Sequence, residues 1–270
     1  MQLIYCACGA KAQAQAQAVG PIPGAQRFDI PAVPSRKDLR FLDAAASKCL
    51  PEDPTPSLTE IQASPNVAHL GDPQFAPQEP LERLRVIVHG EDAALGAVLT
   101  RMMRADYLWA EVAYIPIDPS SPAAVCWGAV ADPAFAVEAP VVPAACVRTD
   151  AGEVVAGSAS ITHGDGSKEF VGEIVVDSQS LVFRTGGRSA RFRGHFGARL
   201  VPTMSAPGIA CAPLVTRRGR TDGSRALTGR AVQTGGEGIS LLIDAHPKPR
   251  QLTHATFYRH LRDIQSVRNA

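Results

Sequence analysis

Side chains able to hold or move charge gather in a few places along this chain. Asp92 stands at the start of a helix-like segment, directly behind the turn His89-Gly90-Glu91. A carboxylate there either caps the helix or faces a phosphate or Mg2+. A second turn, Pro116-Ile117-Asp118-Pro119-Ser120-Ser121, follows an apolar run, and Ser120 or Ser121 can cap a short helix whose first turn holds Pro122. Asp244 ends a late apolar strand beside Ala-His-Pro, where an Asp is an ordinary turn residue. His89 reads as a turn residue, with a place in a cleft as the alternative. Arg184, Arg188, Arg191, Arg193 and Arg199 are locally dense, and the spacing of Arg191-Phe192-Arg193 puts both guanidinium groups on one strand face. That set is a solvated sheet face or a contact for phosphate, lipid head groups or nucleic acid. Thr216 to Arg225 reads as a mobile basic loop. No H-E-x-x-H, G-x-S-x-G or G-x-x-x-x-G-K-[ST] pattern occurs, so zincin, serine-hydrolase and P-loop chemistries have no support.

The elements that must position these residues are clearest from Leu84 to Gly128. Leu84 to Val88 is a β-branched strand, and Asp92 can cap a helix over Ala93 to Arg104 with Leu95, Val98, Leu99 and Met102 on one face. Glu111 to Ile115 is the next strand. Strand–helix–strand spacing of this kind requires a right-handed crossover and a parallel pair. After Ala145 short strands recur at hairpin spacing, with turns at Asp150-Ala151-Gly152, Gly164-Asp165-Gly166, Gly186-Gly187 and Gly235-Gly236. That is the pattern of an antiparallel sandwich. Tyr258 to Val267 reads as a short terminal helix.

The first 80 residues read as irregular or poorly ordered. Ala-Gln alternation runs from Ala12 to Ala18, and prolines interrupt the chain beyond it. One helix is expected over 35–49, with a Ser35 cap. The organisation expected is therefore an irregular 1–80, an α/β unit over 81–143, a β-sandwich over 144–258 and a helical tail over 259–270. An apolar content of 45% can fill a core, while 23 Gly, 22 Pro and 6% aromatics favour strands and turns. A net charge of +1 gives no global field toward nucleic acid or membrane. The six scattered Cys fit free thiols in a reducing compartment, and no metal site is expected. No apolar run approaches a membrane span, and the N-terminus lacks the basic start of a signal peptide, so a cytoplasmic location without an integral membrane segment is expected.

Three segments resemble the superfamily of diacylglycerol kinases, bacterial lipid kinases and NAD kinases. Val88-His89-Gly90-Glu91-Asp92-Ala93-Ala94 stands where those proteins carry Gly-Gly-Asp-Gly-Thr. Ile115-Pro116-Ile117-Asp118-Pro119-Ser120-Ser121-Pro122 stands for Ile-Pro-x-Gly-Thr-x-Asn-Asp, with Trp127-Gly128 closing it. Leu241-Leu242-Ile243-Asp244-Ala245-His246 stands for Val-x-Val-Asp-Gly-Glu. The likeness runs over residues 84 to 260. Gly90, Asp92, Pro116 and Asp244 match. Glu91, Ala93, Asp118, Ser121, Ala245 and His246 depart, and no counterpart of the family's opening strand and phosphate loop is found before residue 80.

The resemblance implies an α/β nucleotide-kinase-like domain followed by a β-sandwich, with ATP and Mg2+ as cofactors held between them. It implies contacts from Gly90, Glu91, Asp92, Pro116, Asp118, Ser120 and Ser121, with Asp244 as general base and Asp92 on phosphate or Mg2+. Glycine matters in such a turn because a side chain blocks the approach of backbone N–H groups to phosphate. The carboxylates of Glu91 and Asp118 would face phosphate oxygens, and like charges at about 4 Å cost on the order of 1–4 kcal/mol. The reading is a degenerate kinase-like protein that binds a phosphorylated or nucleotide-like ligand, with at most residual phosphoryl transfer to a lipid or small hydroxyl acceptor. A non-catalytic interaction or regulatory module, a pseudoenzyme able to form a homodimer, is the alternative.

Overall fold

The run Leu3-Ile4-Tyr5-Cys6-Ala7-Cys8 is apolar and free of breakers, and it forms the strand β1, Gln2–Cys8. The computed structural model describes residues 1–50, 71–77, 79–166, 168–185 and 194–269. Gly9 turns β1 into helix α1, Gly9–Val19, with a φ of 84° that glycine adopts without strain. Strand β2, Ala25–Ile30, and helix α2, Arg40–Cys49, complete the first unit. The expectation of an irregular 1–80 is thus corrected by three elements before residue 31. The helix expected over 35–49 begins at Arg40, and Ser35 donates from its N–H and hydroxyl to Asp38 at 2.8 and 2.7 Å ahead of it.

Next come β3 (Leu84–Gly90), α3 (Asp92–Arg104) and β4 (Glu111–Pro116), then two short helices, α4 (Pro122–Trp127) and α5 (Pro133–Glu138). Strand β5, Val141–Ala144, leads out of this unit. The last strand, β16 at Ile264–Val267, returns to pair parallel with β4 and antiparallel with β5. The terminal helix expected over 258–267 is therefore corrected. The sheet order is β2-β1-β3-β4-β16-β5, with the first four strands parallel. Both faces are covered. Leu84, Val86 and Val88 pack with Leu95, Val98, Leu99 and Met102 of α3, while Tyr5, Ile87 and Ala113 pack toward α1 and α5. Under α5, buried Arg85 donates to Glu111 at 2.6 Å and to the carbonyl of Ala136 at 3.2 Å, so its charge is paired.

The second body is a large, almost wholly antiparallel sheet assembly. Its strands are β6 (Val147–Thr149), β7 (Ala159–His163), β8 (Gly172–Val176), β9 (Gln179–Arg184), β10 (Gly197–Pro202), β11 (Ile209–Pro213), β12 (Leu227–Gly229), β13 (Ala231–Ile243), β14 (His246–Pro247) and β15 (Leu252–Arg259). The main path runs β12-β11-β10-β7-β13-β15-β6, and β8 adds to β13 and carries β9. Phe170 and Phe257 are fully buried at its centre. Fully burying such a side chain contributes about 1.5–3 kcal/mol. The hairpin turn expected at Gly235-Gly236 is corrected: both lie within the long β13, where Gly235 pairs with Glu173 and Gly236 with Gly172. Gly186-Gly187, Arg188 and the expected strand face of Arg191-Phe192-Arg193 lie outside the described residues. The architecture is an α/β body with a central parallel sheet followed by an antiparallel β body. No helix among the described residues is long and apolar enough to cross a membrane.

Candidate functional site

Parallel strands β1, β3 and β4 end at one edge of their sheet. In open α/β sheets, ligands bind outside the carboxyl ends of the strands where the strand order reverses. Here the order reverses between β1 and β3, at Gly9 and Gly90. The structure brings to this edge Gly90, Glu91 and Asp92 after β3, and Pro116, Asp118, Ser120 and Ser121 after β4. Asp244, at the tip of the β13–β14 hairpin, joins them from the second body. The sequence reading missed the β1–α1 turn at Cys8-Gly9-Ala10, which fills the place of the opening strand it did not find. The apolar run before Gly9 was the available signal.

Asp92 does not cap its own helix. Glu91 holds the N-cap position of α3 without a side-chain hydrogen bond. The Asp92 carboxylate instead reaches across to α4. Its Oδ1 accepts from the Ser121 hydroxyl at 2.6 Å and the Tyr114 hydroxyl at 2.9 Å, and its Oδ2 accepts from the Ala123 N–H at 2.9 Å. Ser121 caps the same helix, accepting from the Ala124 N–H at 3.2 Å. Asp118 is exposed and folds onto its own loop, accepting from the Ser120 N–H and hydroxyl at 2.8 and 2.7 Å. Those two bonds hold its carboxyl below the usual range, the hydroxyl bond most strongly.

Asp244 is buried and equally committed. Its Oδ1 accepts from Gly157 and Ser158 N–H at 2.7 and 3.0 Å, and its Oδ2 from Ala156 N–H at 2.9 Å. Burial pushes its carboxyl up to about 7, against the pull of those three donors, and Asp92 adds to the rise. Asp244 and Ala245 have φ of 48° and 63°, the left-handed pair of a two-residue hairpin turn.

One stripe of α3 carries the junction between the two bodies. Asp92, Gly96, Thr100 and Arg104 recur every four residues and so share a face. A Cβ on Gly157 would stand 2.6 Å from Asp92 Oδ2. Gly96 faces Val154 and Asp244. Thr100 Oγ1 accepts from Val154 N–H at 2.9 Å, and Arg104 donates to the carbonyls of Gly152 and Ala151 at 2.8 Å each. Residues 151–157 thus run antiparallel along the helix. Beside this seam opens a cavity of about 590 Å³, lined by Val33, Pro34, Arg36, Leu39, Ala97, Thr100, Arg101, Arg104, Ala151 and Glu153. Arg101 is held by Asp43 at 2.8 Å, while Arg36 is exposed and pairs with none of the described residues.

His89 sits neither in a turn nor in a cleft. It closes β3 on the α1 side, where its Nδ1 lies 2.7 Å from the Tyr5 hydroxyl and its Nε2 lies 2.8 Å from Gln15 Oε1. An amide oxygen only accepts, so Nε2 carries the proton and Nδ1 accepts from Tyr5. Burial holds this imidazole below its ordinary value. Arg199 donates to Ser160 Oγ at 3.1 Å, and Arg184 pairs with Glu169. Five of the six Cys are buried and all are free, and burial pushes the Cys8 thiol up to about 12. Among the described residues no three His, Cys, Asp or Glu stand together as a metal site.

A central parallel sheet joined to an antiparallel body, meeting at the strand ends, is a fold shared with solved diacylglycerol kinases and an NAD kinase. Among solved structures, two diacylglycerol kinases from Bacillus anthracis str. Sterne, one of them described as putative, superpose with TM-scores of 0.61 and 0.62 at 9% identity, each over 99% of this chain and 97% of the other. An NAD kinase from Archaeoglobus fulgidus, solved in complex with ATP, superposes with a TM-score of 0.53 at 9% identity over 99% and 93%. No family model and no curated protein sequence matches the chain.

Proposed function

We propose that this chain keeps the kinase fold as a scaffold and binds a phosphorylated or nucleotide-like ligand in the cleft beside α3, without efficient phosphoryl transfer. The observation that carries this reading is the state of its two candidate catalytic carboxylates. All four oxygens of Asp92 and Asp244 accept hydrogen bonds from the protein itself. A general base must accept a proton from its substrate, and protonating Asp244 Oδ2 competes with its bond from Ala156. An Mg2+-facing carboxylate must offer lone pairs outward, and Asp92 already gives three to Tyr114 on β4 and to Ser121 and Ala123 at the start of α4. The residues present therefore fit a magnesium-bound triphosphate poorly.

Binding is supported by different residues. Arg36 lines the cavity beside the seam with its guanidinium open to a bidentate fork on phosphate, while Arg101 and Arg104 on the same lining are held by Asp43 and by the carbonyls of Gly152 and Ala151. Glu91 and Asp118 lie on the turns outside this cavity, and the carboxylate on its lining, Glu153, is paired with Lys248. Thermal unfolding with ADP tests the reading. ADP should raise Tm by mass action, with or without Mg2+, and Arg36→Ala should weaken the response. No response at millimolar ADP would favour the second reading, an interaction module that uses the fold for its surfaces; the three internal hydrogen bonds on each carboxylate support that reading too.

A further inference from the structure

A second cavity, of about 250 Å³, opens at the opposite edge of the parallel sheet. It lies where α3 ends and β4 and β16 begin. Met103, Leu108, Trp109, Phe75, Ala76 and Leu261 supply apolar walls. The strap over residues 71–77 is pinned in place: Gln74 N–H donates to Asp263 Oδ2 at 2.9 Å, and Arg259 donates to the carbonyl of Gly71 at 2.6 Å. Asp263 also accepts from Arg259 at 2.9 Å, so its charge is spent.

Three further polar groups on this lining have no partner among the described residues: the indole N–H of Trp109, the ring of His260 and the guanidinium of Arg262. Burial, with Arg148 and Arg262 nearby, holds His260 at about 4, so at neutral pH it is an uncharged ring with one N–H to give. The set is rich in donors and carries one free positive charge, set against an apolar wall. The matching ligand has a negative acceptor head and an apolar body. We propose that this cavity binds a small apolar carboxylate, its head group met by Arg262 and its chain laid along Leu108, Trp109 and Phe75. Asp106, exposed on the same lining with a φ of 56°, is the acid from which the head group must stay clear.

This site is independent of the cleft, and its test uses the full chain with octanoate as probe and 1-octanol as its uncharged counterpart. Octanoate should move the indole N–H resonance of Trp109 and leave that of Trp127, which is buried at the end of α4. Arg262→Ala should weaken octanoate at least about tenfold, the loss of a charge-assisted contact, and leave octanol unchanged. Asp106→Asn should tighten octanoate. The proposal is overturned if octanoate and octanol bind alike, if Arg262→Ala binds octanoate as the parent does, or if millimolar octanoate leaves the Trp109 resonance unmoved.

Discussion

Gly96 of α3 approaches Asp244 so closely that a Cβ on it would stand 2.6 Å from the carboxylate Oδ2. That oxygen is fixed by the N–H of Ala156, so it cannot swing aside freely. In an exposed helix Gly→Ala is worth up to about 1 kcal/mol of added stability. Here the overlap should reverse the sign. Gly96→Ala is predicted to destabilise by about 1–3 kcal/mol, the usual range for overpacking. Urea unfolding checks it, and a midpoint above the parent's would contradict it.

Asp244 gives the fold a pH dependence whose sign is fixed by its raised folded value of about 7. An unfolded Asp titrates near 3.9. Between those values the folded chain holds a proton that the unfolded chain has lost. This contribution is complete below the unfolded value and is lost as pH rises through about 7. Chemical denaturation at pH 5 and pH 8 should show it. Asp244→Asn should flatten that slope and lower stability by about 1–3 kcal/mol, because an amide cannot accept all three N–H bonds.

Ala245 occupies a left-handed turn position with a φ of 63°. An L residue with a Cβ is strained there by about 1–2 kcal/mol. Ala245→Gly removes the strain but loosens the unfolded chain by about 0.4–1 kcal/mol. The net expectation is a gain of about 0.5–1 kcal/mol, readable as a higher Tm. A lower Tm would mean that Ala245 makes contacts worth more than its strain.

The two-body architecture and the strand–helix–strand core over residues 84–116 were legible because β-branched runs, a turn and a 3.6-residue period agree there. The N-terminal unit was not, because Ala-Gln alternation hides its function. Ala12 and Ala16 bury one face of α1, while Gln13 donates to the carbonyl of Ile30 at 3.0 Å and Gln15 accepts from His89 at 2.8 Å. Strand β16 was missed because Gln265 and Ser266 look exposed in sequence but are buried between β4 and β5. Gly235 and Gly236 resembled a turn, yet both lie in β13, where a Cβ on Gly236 would stand 2.4 Å from the Val171 carbonyl oxygen while Gly235 has open space beside it. At the site, the resemblance singled out Gly90, Asp92, Pro116 and Asp244 as matching residues. It could not reveal that Asp92 caps a different helix, since the partner N–H of Ala123 is 31 positions away.

Asp92 and Asp244, the carboxylates to which the resemblance assigns phosphate and proton chemistry, instead accept hydrogen bonds within their own bodies, Asp92 from Tyr114, Ser121 and Ala123 and Asp244 from Ala156, Gly157 and Ser158. The most direct measurement is 31P NMR of ATP with Mg2+ and a diacylglycerol acceptor in mixed micelles, followed with and without the protein. No phosphorylated acceptor above background is expected, and an Asp244→Asn variant should differ from the parent in stability alone. A phosphorylated acceptor that forms with the parent and disappears with Asp244→Asn would contradict this expectation.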